Sequence, residues 1–207
     1  KRMTFFISAR IYREINKREG RKMEVVQPIR DKEVIKEIKE YLKEKSERNY
    51  ILFLFGINTG LRIGDILKLK VKDVQGWSIH IREGKTKKPK EVRMPPELKK
   101  AVRKYVEGKP KNDWLFPSRV KDRKTGKTKP ITSGMAYIIL QDVAEEFGLE
   151  RIGCHSMRKS YGYHFYKKHK DLAALQLVLN HSHPNVTLRY IGITQDKINN
   201  YQSNFRI

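Results

Sequence analysis

Two histidines one residue apart, a proline, and a tyrosine nine residues after the first histidine stand together in LNHSHPNVTLRYIGI, residues 179–193. Three readings suit these residue types. His181 and His183 could clip a metal, although that needs further ligands and the chain has a single cysteine, Cys154. The aromatic and apolar residues could simply pack. Or a histidine, which changes charge near neutral pH, could manage protons for Tyr190 as a nucleophile. A phenol with an ordinary pKa of ~10 attacks poorly at neutral pH and needs a base or a strong positive field.

Groups able to supply that field lie elsewhere. NTGLRIGD places Arg62 just after a helix-breaking turn and Asp65 three residues on, a spacing at which the carboxylate can brace the guanidinium. CHSMRKSYGYHFY carries His155 and Arg158 at i and i+3, one helix face. EGKTKKPK carries Lys85 at the tip of an expected hairpin. Two arginines converging on one phosphate would each make paired, charge-assisted bonds to its non-bridging oxygens. They would stabilise the extra charge of a five-coordinate phosphorus, the logic of phosphoryl transfer. A lysine on a hairpin is a reasonable acid for a departing sugar oxygen. There is no tight carboxylate cluster of the kind that holds Mg²⁺, so the scheme calls for neither metal nor cofactor.

The composition bounds the partner. Lys plus Arg number 46 against 23 Asp plus Glu, a formal +23 with a pI near 10.1. A net charge of roughly 2–8 is enough for solubility, so the excess points to a polyanion, and double-stranded DNA is the default. A merely soluble basic surface is the bland alternative. An anionic membrane is weaker, because no apolar run approaches a span of ~18 residues. One cysteine allows no intrachain disulfide, which fits the cytoplasm.

Helical periodicity runs over Asp31–Lys45, Tyr50–Asn58, Ile63–Leu69, a segment opening on PPELKK, Gly134–Phe147, His155–His169 and Leu172–Leu179. Asn185 is expected to cap a short helix holding Tyr190. WSIHIR and EVRM alternate as strands around the lysine-rich tip, with Trp77, Ile79 and Ile81 on one face. The fold class is therefore mainly α with a small antiparallel β-sheet, α+β. Lys87, Lys88 and Lys90 on the hairpin, Lys121, Arg123, Lys124, Lys127 and Lys129 in a basic loop, and Lys159 beside Arg158 are the candidate DNA-binding residues. Tyr163, Phe165 and Tyr166 form an aromatic stripe suited to a core. Tyr201 is a rival nucleophile whose neighbours supply no base.

The set TGLRIGDIL, GKTKKPK, HSMRKSYGYHF and LNHSHPNVTLRYIGI, in that order, resembles the catalytic domain of the tyrosine recombinase (phage integrase) family. The resemblance implies that Tyr190 is a nucleophile forming a 3′-phosphotyrosyl link. Arg62 and Arg158 are then the phosphate clamp, His155 the base, Lys85 the acid for the 5′-oxygen, and His181 a donor to the scissile phosphate. Asp65 matches a supporting acidic position. Asn180 stands where the family often has Gly. The implied organisation is a basic extension or linker remnant at 1–26, a catalytic domain at 27–193, and a tail at 194–207 that docks on a neighbouring protomer. The family also normally carries a core-binding domain ahead of the catalytic one. The implied activity is site-specific recombination by a homo-oligomer, a tetrameric synapse on DNA, with accessory DNA-bending proteins. The alternatives are type IB topoisomerase-like relaxation and a non-catalytic DNA-binding regulator on the same scaffold.

Overall fold

A computed structural model describes residues 26–181, 183–191, 200 and 202–205. The expected basic extension, and most of the expected docking tail, lie outside the described residues.

Helix α1 (Lys32–Lys45) starts where Asp31 accepts from the Glu33 backbone N–H at 2.8 Å. Glu33 in its first turn and Lys43 and Lys45 in its last complement the helix dipole. The chain turns through extended Ser46 and at once begins α2 (Glu47–Thr59). This start is earlier than the apolar pattern indicates, because the first turn is polar and carries no periodic signal. Residues 51–56 of α2 are buried on every side, so it is the central helix of the core.

Then come α3 (Ile63–Ile66), a 3₁₀ turn (Val71–Val74), strands β1 (Ser78–Arg82) and β2 (Pro89–Arg93), and α4 (Pro96–Tyr105). Helices α5 (Ser133–Glu146), α6 (Cys154–His169), α7 (Leu172–Leu179) and α8 (Pro184–Ile191) follow. Among the described residues the architecture is mainly helical with one two-stranded antiparallel sheet, in which Ile79 faces Val92 and Ile81 faces Lys90. Ile79 points into the core as the alternation requires, whereas Trp77, just before the paired residues, is exposed. Among the described residues no helix is long and apolar enough to cross a membrane.

One glycine within α2 and the glycine that caps it let α6 pack closely against it. A Cβ on Gly56 would lie 2.4 Å from Met157 Sδ, a distance no packed side chain tolerates. Gly60 ends the helix at φ 61, a left-handed conformation that suits glycine, and a Cβ there would strike the Tyr161 ring at 2.6 Å. α6 is thereby drawn against the end of α2, which brings Arg158 beside the turn that leads to Arg62.

A second, smaller apolar cluster forms around Leu175 and Leu179 of α7, packed by Tyr161, Tyr163, Phe165, Tyr166 and Tyr190. The aromatic stripe on α6 thus packs, half-buried, against this cluster, which also seats the helix that carries Tyr190. That helix begins at Pro184, whose missing N–H costs nothing at this position. Asn185 is therefore not its cap. His183 takes that part, with Nδ1 accepting the Asn185 N–H at 3.2 Å.

Candidate active site

Arg62, the first of the clamp candidates, is the N-cap of α3 at φ −72, ψ 145, outside the helix proper. The helical i, i+3 geometry expected for Arg62 and Asp65 consequently does not apply. Asp65 turns the other way, and its Oδ1 accepts the Gly84 N–H at 2.8 Å, tying α3 to the hairpin. The carboxylate beside Arg62 is Glu83, with Oε1 2.8 Å from Nη1. Glu83 has no solvent exposure. Burial alone would raise its pKa, but hydrogen bonds from Thr86 and Asn180, with the charge of Arg62, outweigh that and lower it to about 2.

Arg158 is 2% exposed. One guanidinium nitrogen, Nη1, donates to Gly60 O, and Nη2 donates to Leu179 O at 2.5 Å. Two backbone turns thus fix its plane, and the Tyr190 hydroxyl is a third partner. Burial lowers the Arg158 pKa, yet an arginine stays charged.

His181 follows α7 through Asn180, which sits in a left-handed turn at φ 51. Its Nδ1 lies 3.0 Å from Oγ1 of Thr187, a fully buried residue three positions before Tyr190 on α8. Burial first, then the charges of Arg158, Arg62 and Lys90, push the His181 pKa down to about 4. His155 opens α6 with part of its ring in solvent. Desolvation, followed by the fields of Arg158, Lys159, Arg62 and Lys85, also lowers its pKa. Both imidazoles are neutral at pH 7.

The Tyr190 hydroxyl lies 3.4 Å from His155 Nδ1, and its ring meets the His181 ring edge-on at 5.0 Å. Burial raises its pKa, while Arg158 and Arg62 pull in the opposite direction. Tyr190, His155, Arg158, His181 and Arg62 are therefore gathered around one spot. Lys85 is exposed on the adjoining hairpin tip and acts on His155 through its charge.

The candidate DNA-binding residues divide. Lys87, Lys88, Lys121, Arg123, Lys124 and Lys127 are exposed, and Lys129 is half-buried. The loop that carries the last five is a closed turn. Asp122 Oδ1 accepts from the backbones of Lys124 and Thr125 and from the Thr125 hydroxyl. Two lysines are turned inward instead. Lys159, 6% exposed, donates to Val26 O at 2.9 Å and places its ammonium 5.1 Å from the Tyr190 ring centre. Lys90 donates to Val178 O at 2.5 Å, and burial, with Arg158 beside it, lowers its pKa to about 8. Their long stems let a surface strand and helix send charge into the site.

Acid should destabilise the protein in two stages. His181 binds its proton less readily in the fold, so its contribution is complete above about pH 6.5 and is lost as pH falls toward 4. Glu83 contributes above its ordinary value of 4.5 and loses that as pH falls toward 2. Melting temperature followed from pH 7 to 3 should decline across both windows, with H181Q reducing the decline in the first, which His155 and His164 share. A flat profile would contradict these assignments.

The arrangement is a cationic cradle for a tetrahedral anion, with a phenol, a neutral imidazole and an ammonium at hand. Residues 29–197 match the phage integrase family. The chain is 49% identical over 175 residues to "Probable integrase/recombinase YoeC" of Bacillus subtilis (strain 168), covering 84% of this chain and 93% of that protein. It is 26% identical to "Tyrosine recombinase XerA" of Thermococcus onnurineus (strain NA1), covering 85% of this chain but 62% of that one. In three dimensions it resembles the XerH site-specific recombinase bound to palindromic difH substrate in a post-cleavage complex. There the TM-score is 0.66 at 24% identity, over 87% of this chain and 54% of that chain, a likeness of fold.

Proposed function

The chain belongs to the phage integrase family, the tyrosine recombinases, and on that premise we propose that it cuts and rejoins DNA at specific sites through a 3′-phosphotyrosyl intermediate. Arg62 and Arg158 hold the non-bridging oxygens of the scissile phosphate. The Tyr190 oxygen attacks phosphorus while its proton passes to His155, which is neutral and so able to take it. The bond from phosphorus to the 5′-oxygen breaks, and Lys85 gives that oxygen a proton. The products are a phosphotyrosine on the 3′ side and a free 5′-hydroxyl. His181, with Nδ1 turned to Thr187, presents Nε2 to the phosphate. A 5′-hydroxyl from a second strand reverses the step, so the energy of the broken bond is conserved and neither a metal nor a nucleotide is consumed.

The observation that carries this reading is the 3.4 Å approach of the Tyr190 hydroxyl to His155 within one protomer, next to Arg158. It also favours cleavage in cis, each protomer supplying its own nucleophile. The wider assembly follows from the chemistry. Exchange between two duplexes has four strands to cut, hence four protomers on DNA in the cytoplasm, with the segment after Ile193 docking on a neighbour. Accessory DNA-bending proteins fit the same scheme. The exposed lysines of the hairpin and of the 121–127 turn serve the phosphate backbone.

The test uses supercoiled plasmids with no site, one site or two sites. Exchange products that require two sites are expected. Relaxation independent of any site, without exchange, would assign the chain to topoisomerase-like chemistry instead.

A further inference from the structure

The proposed chemistry leaves Glu83 unused, a carboxylate with no solvent exposure directly before Gly84 and Lys85. Its two oxygens face different partners. Oε1 lies 2.8 Å from Arg62 Nη1 and 3.7 Å from Lys90 Nζ. Oε2 accepts from the Thr86 hydroxyl and from Asn180 Nδ2, each at 2.6 Å. Asn180 also donates to Thr86 Oγ1 at 3.2 Å. One carboxylate thus touches the Arg62 turn, the Lys85 hairpin, and the residue before His181.

Asn180 strengthens the case. It occupies a left-handed turn that glycine would adopt with less strain. The side chain it brings reaches both the carboxylate and the hairpin. Neither Oε1 nor Arg62 Nη1 makes an aligned hydrogen bond. The contact between them is therefore an ion pair, and it holds the guanidinium beside the hairpin.

Resting on the function proposed above, we propose that Glu83 and Asn180 are a positioning clasp, in which Glu83 holds Arg62 in place for the phosphate and Asn180 docks the Lys85 hairpin against the His181 turn before DNA arrives. Neither residue touches the reacting atoms. The clasp removes motion that the clamp and the acid would otherwise have to lose on binding, and small misplacements at such sites cost up to about 100-fold in rate.

The two halves are separable. The full chain and its E83Q and N180G variants are compared in single-turnover cleavage of a nicked duplex. The duplex carries either an ordinary phosphodiester or a 5′-bridging phosphorothiolate, whose thiolate leaves without a proton. E83Q is expected to slow cleavage of both substrates by about 100-fold, because the fault lies at the clamp. N180G is expected to slow the phosphodiester by about 10-fold and to regain its rate on the phosphorothiolate, because the misplaced group is the acid. DNA affinity and melting temperature should change little in N180G, which also decides the matter should E83Q fold poorly.

Near-normal cleavage by E83Q, losses that merely track the unfolded fraction, or an N180G defect that the thiolate leaves uncorrected would each overturn the clasp. If the unaltered chain forms no adduct, the proposed function falls and the clasp with it. If it forms one and both variants match it, the clasp alone falls.

Discussion

Y190F should abolish covalent attachment to DNA while leaving DNA affinity within about threefold of the unaltered chain. The substitution removes one oxygen and keeps the ring. The ring is what packs on the Leu175–Leu179 cluster and meets His181 edge-on, so α8 should stay seated. The oxygen is the atom that lies by His155 and Arg158. Removing a nucleophile costs on the order of 10⁴-fold or more, since the remaining groups act only through it. Single-turnover cleavage of a nicked duplex measures the first effect and fluorescence anisotropy the second. A variant that still forms the adduct would move the nucleophile to another residue.

Replacement of Arg158 should have the next largest effect, and on two quantities at once. Its guanidinium spans Gly60 O and Leu179 O and still reaches the Tyr190 hydroxyl. Lysine keeps the charge but presents a point donor that cannot serve all three directions. R158K should therefore lower the cleavage rate by about 10²- to 10³-fold, the usual loss when a donor to a developing oxyanion is removed. It should also cost about 1–3 kcal/mol of stability, because a buried carbonyl is left without its donor. Urea titration separates the second effect from the first. Loss of stability without loss of cleavage would make Arg158 a structural residue rather than a clamp.

These effects depend on contacts that the sequence reveals unevenly. The continuous apolar run of α2 reads directly as a buried helix, and the residue types at 62, 155, 158, 181 and 190 announce their chemistry because few side chains can bind a phosphate or move a proton. Their meeting does not show in local spacing. Arg158 reaches a carbonyl 98 residues earlier in the chain, a contact set by how Gly56 and Gly60 let α6 approach α2.

The pairing of Arg62 with Asp65 followed a helical rule that fails at an N-cap residue, whose backbone is extended. Glu83 was legible in principle. The alternation that places Ile79 and Ile81 inward continues to position 83, so a carboxylate there is directed at the interior and must meet cations. Reading EGKTKKPK as one polar, basic hairpin tip concealed it. Lys90 and Lys159 show the same limit from the other side, since a charge count does not tell which way a long stem turns. Thr187 carries no signal except its place one helical turn before Tyr190.

The most direct measurement is covalent capture. The full chain is incubated with a library of nicked duplexes of random sequence, the denaturant-resistant adducts are digested, and the modified peptide and attached DNA end are identified. The account predicts one phosphotyrosine, at Tyr190, on the 3′ end of the broken strand and opposite a free 5′-hydroxyl. An adduct at any other residue, attachment to a 5′ end, or cleavage that leaves no covalent link would contradict it.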